Sequence, residues 1–198
     1  MARNRDPFAS ALRALRERAV SGAFSPGRPI IILDEAEALG LSTTPIREAL
    51  AWLGGEGLIE RAPAGGYIGL RIDAATLAGR YRMRLHCLAR GVERSLQSGG
   101  AGPNVFSDPA RLFRTLVAST ADPMLIQTFD RVQATLERFA PAEAELLDDM
   151  PEALEQISAL LGAGDTASAA TLLEAFHERR IRAAPILTER GPIAVEAG

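Results

Sequence analysis

Ser42, Thr43, Thr44 and Arg47 fall within six consecutive positions, and hydroxyls beside a guanidinium suit hydrogen bonding to phosphate oxygens and base edges. The same stretch predicts the helix that would present them. Pro45 lacks the amide hydrogen that goes unpaired in a first helical turn, and Ser42 or Thr44 can cap that end. Ile46, Ala49, Leu50 and Leu53 recur at i, i+3, i+4 and i+7, which is one buried stripe. Thr43, Thr44 and Arg47 therefore face outward at the helix N-terminus, where a recognition helix meets DNA. Trp52 is on this helix but off its stripe, so its ring is expected to pack against the wing or the next domain rather than stack on bases.

Other chemistries find little support. Cys87 is the single cysteine, which excludes an internal disulfide, and its place beside an apolar helix face reads as a small buried hydrophobe. The two histidines, His86 and His177, have no spacing that makes a metal site with each other. No nucleophile stands in a recognisable motif with a base, so no enzyme is expected. No cofactor is implied.

Around the recognition helix the chain supplies the parts that must position it. Phe8, Leu12, Leu15 and Ala19 mark one face of a first helix ended by Ser21-Gly22, and Pro26-Gly27 turns the chain into an expected Ile30-Ile31-Ile32 strand. Asp34 to Leu39 reads as a short helix stopped by Gly40, with a tight turn over 41–44. Leu58-Ile59-Glu60-Arg61 and Tyr67-Ile68-Gly69-Leu70 predict two strands around a loop whose Gly65 and Gly66 suit a hairpin. The order is that of a winged helix-turn-helix, with the hairpin as the wing. Arg61, Gly65 and Gly66 are its expected DNA neighbours.

Ser21-Gly22 with Pro26-Gly27, Leu39-Gly40-Leu41-Ser42, Thr44-Pro45-Ile46-Arg47-Glu48-Ala49-Leu50 and Glu56-Gly57-Leu58-Ile59 together resemble the signature of the GntR family of bacterial transcription regulators over residues 8 to 70. The resemblance implies a homodimer bound to a double-stranded, pseudo-palindromic operator, more often as repressor than activator. This chain departs from the pattern at Ile31 and Glu35, where the family often has a polar cap and a leucine. Thr43 replaces a usual arginine, which removes a phosphate contact and so lowers salt-sensitive affinity. A winged helix that binds protein instead of DNA is the alternative.

Charge separates the two parts of the chain. Residues 1–72 carry nine arginines against eight acids, and 73–198 carry thirteen against seventeen. DNA affinity must then come from local placement, with Arg3, Arg5, Arg13, Arg47 and Arg61 as phosphate neighbours, or with the first three on a solvated tail and helix face. There is no lysine. No apolar run is long enough to span a membrane and no signal segment opens the chain, so a cytoplasmic protein is expected.

Beyond Asp73 the pattern is helical. Leu77, Tyr81, Leu85, Leu88, Val92 and Leu96 mark a long helix ending at Ser98-Gly99-Gly100, and further helices are predicted at about 108–120, 122–140, 143–163 and 166–184. The fold class is thus mainly α: a winged helix-turn-helix over 1–72 and an all-α bundle over 73–198. Tyr81-Arg82 with Leu85, Phe113-Arg114 with Ala121-Asp122-Pro123, and Gly164-Asp165 with Ala169 resemble the effector-binding domain of the FadR-type branch of the same family. That branch often holds a divalent metal on an aspartate and three histidines. The corresponding positions here are Ala110, Arg114, Leu154 and Phe176, so no metal is expected. Instead, Arg114 and Arg82 are candidates to grip a small organic-acid effector, each with a solvated surface ion pair as its alternative. His177 is either a pocket hydrogen-bonder or a surface residue, and His86 is structural or exposed.

Overall fold

The computed structural model describes residues 6–97, 109–148 and 150–191. They divide after Ile72 into two compact units.

In the first unit, α1 (Pro7–Val20) starts on the Asp6 carboxylate, which accepts from the Phe8 amide at 3.0 Å, and it buries Ala11, Leu15 and Ala19. α2 (Ile32–Leu39) ends on Gly40 at φ 63°, and α3 (Thr43–Glu56) ends on Gly57 at φ 75°, both left-handed positions that suit glycine. The predicted stripe of α3 holds completely, since Ile46, Ala49, Leu50 and Leu53 are fully buried. β1 (Ile59–Arg61) and β2 (Tyr67–Gly69) pair antiparallel in the register Ile59↔Gly69, Glu60↔Ile68, Arg61↔Tyr67. Between them, Gly65 and Gly66 take φ of 94° and 78°.

The expected Ile30–Ile32 strand does not form. Isolated bridges at Pro26 and Pro29 lay this segment along β2, because proline has no amide hydrogen to continue a ladder, and Ile32 already opens α2. Close approach there is possible only because position 69 is glycine: a Cβ would sit 2.2 Å from the Ser25 carbonyl oxygen.

The second unit is wholly helical among the described residues: α4 (Ala74–Gln97), α5 (Pro109–Ala118), α6 (Pro123–Leu136), a 3-10 turn (Glu137–Phe139), α7 (Ala140–Leu147), α8 (Met150–Gly162) and α9 (Thr166–Arg190). The Asp122 and Asp165 carboxylates cap α6 and α9. The core joins Leu88, Val92, Leu112, Leu116, Phe129, Ile157, Leu173 and Phe176. Three boundaries differ from expectation. The helix predicted over 143–163 begins at Ala140, with Pro141 in its first turn, and breaks where Asp148 adopts φ 38°. α9 continues through Pro185 to Arg190. The expected stop at 98–100 lies outside the described residues.

α4 and α5 approach so closely that a Cβ on Gly91 would lie 2.5 Å from the Leu116 carbonyl oxygen. Helix propensity alone favours alanine over glycine by about 1 kcal/mol, but a backbone carbonyl cannot step aside. Gly91→Ala is therefore expected to destabilise the chain by about 1–3 kcal/mol in urea unfolding, and a gain in stability would show that α5 does not pack here.

Candidate functional site

The first turn of α3 carries Ser42, Thr44 and Arg47 exposed to solvent, with Thr43 half-buried beside them. Ser42 occupies the N-cap position in extended backbone, yet its hydroxyl makes no capping bond. Arg61 is exposed at the end of β1, and Gly65 and Gly66 are exposed at the hairpin tip. Arg13 is exposed on α1, while Arg3 and Arg5 lie outside the described residues.

Trp52 packs backward rather than forward. Its ring meets Phe8 of α1 edge-on at 6.2 Å, and its Nε1 donates to Glu56 Oε1 at 2.8 Å, an oxygen that Arg16 also reaches at 2.7 Å. Within its own unit the ring ties α3 to α1 rather than to the wing, because Phe8 sits within reach of the open face of α3. Glu35, at the position expected to be leucine, is buried and faces Arg18 at 2.9 Å. Burial raises its carboxyl pKa, against the opposing pull of Arg18.

The second unit holds a cavity of about 710 Å³ open to solvent on one side, lined by carbon-rich side chains including Phe113, Phe129, Leu136 and Leu154. The arginine buried against it is Arg84, at 3% exposure. Its Nε donates to His177 Nε2 at 3.1 Å, its Nη1 reaches Gln133 Oε1 at 3.3 Å, and its Nη2 has no partner. Tyr81 and Phe113 present their rings to its guanidinium carbon at 5.3 Å each. Behind it, Glu143 accepts from the Tyr81 hydroxyl at 2.5 Å and from Arg180 Nε at 2.7 Å. Burial and the neighbouring Glu143 carboxylate push the Tyr81 hydroxyl well above the ordinary tyrosine range.

Arg114, Arg82 and His177 occupy three different settings in the helical unit. Arg114 reaches the cavity rim but points its guanidinium outward into a two-pronged pair with Asp130, at 2.9 and 3.0 Å, with 63% of its side chain exposed. This is the solvated ion pair of the two alternatives. Arg82 is exposed on α4, away from this cavity. His177 is fully buried: Nε2 accepts from Arg84, so Nδ1 carries the hydrogen and donates to the Leu173 carbonyl at 2.7 Å. His86 is exposed and Cys87 fully buried. Sequence reasoning passed over Arg84, Glu143 and Arg180. Arg84 was visible in principle, since 77, 81, 84, 88 and 92 form one helical stripe with a charge at its middle.

A divalent metal does not fit the residues present. Arg114 carries a cation, Leu154 and Phe176 have no donor atom, and both nitrogens of His177 are engaged. Ala110 belongs to α5 but offers no donor either. Among the described residues, no three His, Cys, Asp or Glu side chains converge.

Two helices joined by a three-residue turn, followed by a β-hairpin, form a winged helix-turn-helix, a fold that DNA-binding transcription regulators use. Residues 9–68 match the family described as bacterial regulatory proteins, gntR family, so this stretch is a GntR-family domain. E. coli McbR/YncC is 20% identical with a TM-score of 0.66, over 93% of this chain and 98% of that one. A Rhodococcus sp. RHA1 structure described as a transcriptional regulator GntR is 16% identical with a TM-score of 0.73, over 89% and 96%. These likenesses show a shared fold through both units. No curated protein sequence matches the chain. No helix among the described residues is long and apolar enough to cross a membrane.

Burial and the adjacent Arg84 charge push the His177 pKa well below the ordinary histidine range. The unfolded chain then takes up a proton near pH 6.5 that the folded chain refuses, so stability present above that pH is lost as pH falls. Urea unfolding between about pH 7 and 5 should show this decline, and His177→Gln should flatten it relative to the unsubstituted chain. Parallel pH profiles would show that His177 accepts a proton as freely folded as unfolded.

Proposed function

We propose that this chain is a cytoplasmic, non-enzymatic, ligand-responsive repressor that binds a pseudo-palindromic operator as a homodimer. The observation that carries the DNA reading is the exposure of Arg47, beside Ser42 and Thr44, on the first turn of α3 within a GntR-family domain. The helix N-terminus adds its positive dipole end and free amides to these groups, which favours phosphate contact. Arg61 and the Gly65-Gly66 tip are read as backbone and minor-groove contacts of lesser specificity. Two copies on a two-fold operator double the contacts, which suits a domain of modest positive charge.

An organic acid is the proposed effector, bound in the helical unit. Its differential affinity for two arrangements of the dimer would shift operator occupancy. The alternative reading, a winged helix that binds protein, draws on Thr43 in place of arginine and on a hairpin loop without a basic residue. Filter binding to the DNA upstream of the chain's own gene separates the two. A regulator gives a salt-sensitive complex, and an interaction module gives none.

Arg47→Ala is expected to weaken operator binding by about 1–3 kcal/mol without moving the melting curve. Unchanged affinity would remove Arg47 from the interface. Gly65→Val places a branched side chain at φ 94° and is expected to weaken binding by distorting the wing, whereas normal binding would show that the hairpin does not touch DNA.

A further inference from the structure

We propose that Arg80 and Arg138 form an anion site of the helical unit, separate from its large cavity, that takes a dianionic phosphoryl group, free or carried on a small molecule. Such a site stands apart from the proposed organic-acid response, and either can fail without the other. Arg80 lies one turn ahead of Arg84 on α4, and Arg138 lies in the 3-10 turn between α6 and α7. Glu137, beside Arg138 in that turn, lines the cavity, whereas neither arginine does.

Arg138 is 4% exposed, and its guanidinium carbon stands 5.9 Å from the centre of the Phe139 ring. Its Nε and Nη2 are buried with no hydrogen-bond partner among the described residues, and so is Nη1 of Arg80. Those two nitrogens of Arg138 make up one edge of the guanidinium, the edge through which Arg114 takes both oxygens of Asp130. Among the described residues, no carboxylate meets that edge on Arg138.

The two cations are close enough that Arg80 acts on the charge of Arg138, and burial and Arg80 both press the Arg138 pKa down. For Arg80 burial alone is the cause, so among the described residues no carboxylate counters either group. An arginine starts from a value too high for such pressure to neutralise it. Water could satisfy the orphaned N–H groups, but it cannot cancel two like charges in the interior, and an anion can. A phosphoryl group carries about −1.5 to −2 charges at pH 7 and three acceptor oxygens, two for the Arg138 edge and a third for Nη1 of Arg80. A carboxylate brings a single charge and no third oxygen. Arg80 is the more exposed of the pair, half-buried on a long rotatable stem, so its side chain can yield to admit the ion.

The test titrates the full chain, freed of phosphate by dialysis, in a calorimeter at about pH 8 and constant ionic strength, with inorganic phosphate, phenyl phosphate, dimethyl phosphate and acetate as probes. Phosphate is expected to bind about tenfold or more tighter than dimethyl phosphate or acetate, each of which brings one negative charge. Phenyl phosphate bound as well as phosphate or better marks a phosphorylated small molecule as the source, and its exclusion marks the free ion; both support the site. Arg80→Gln, at a half-buried position, is expected to keep the fold and lower phosphate affinity about tenfold. Arg138→Met is expected to abolish phosphate binding and, by removing a buried charge, to raise the melting temperature of the phosphate-free chain. Arg114→Ala should leave phosphate affinity unchanged. If Arg138→Met does not fold, Arg80→Gln and the comparison of anions carry the test. No phosphate binding, phosphate affinity unchanged in Arg80→Gln, or acetate bound as tightly as phosphate overturns the assignment. So does tight binding of dimethyl phosphate, which would give the pair to a diester backbone instead.

Discussion

Arg84 and Arg180, two of the arginines buried in the helical unit, flank the buried Glu143 carboxylate, and that grouping orders the side chains around it. Arg180 cannot sit at 1% exposure without Glu143, and Glu143 cannot sit at 3% without Arg180 and Tyr81. Removing one partner of such a set leaves an uncompensated charge, an effect of about 3–5 kcal/mol, although the intact set adds little net stability over an apolar replacement. Its contribution is to arrangement. Glu143 falls in the first turn of α7, a position created by the 3-10 turn over Glu137–Phe139 and by Pro141. That end of a helix favours a carboxylate. The bend that looks like an irregularity in the chain is thus what brings the acid to face α4 and α9.

The same network fixes the state of His177. Because Arg84 must donate through Nε, the imidazole must accept at Nε2 and place its hydrogen on Nδ1, where the Leu173 carbonyl receives it. Each bond determines the next. A protonated imidazole would turn a donor toward the guanidinium, so the fold and the neutral histidine require one another. Phe176 and Phe113 stand edge-on and tilted around this ring at 5.2 and 6.0 Å.

Legibility in the sequence followed the direction in which the candidate side chains point. Ser42, Thr44 and Arg47 were readable because they interrupt a fully apolar stripe from the outside, and a polar residue off the stripe is where the period expects one. Gly40, Asp122 and Asp165 marked helix ends through local backbone and capping chemistry that needs no tertiary context. Arg84 and Arg180 fail the same test for a physical reason. They occupy stripe positions, so a rule that sends charge to the surface passes over them, and the partners that permit their burial lie 59 and 37 residues away at Glu143. The break at Asp148 carries no glycine or proline at its own position. The Ile30–Ile32 run had strand-forming side chains but lost its ladder to prolines at 26 and 29, and Trp52 found a partner, Phe8, that no short-range pattern links to it.

The absence of lysine gives these observations a common consequence. Every cation in the chain is a guanidinium, and a guanidinium keeps its charge when buried, whereas a lysine in the same place gives up its proton and the need for an anion with it. Burial does press the Arg84 pKa downward, but the neighbouring Glu143 and Tyr81 press it back, and the group starts from a value that leaves ample room. A metal centre answers an anion with a charge that depends on metal supply and on deprotonated ligands. An arginine held by a histidine, a glutamine and two aromatic faces answers it with a charge that depends on neither.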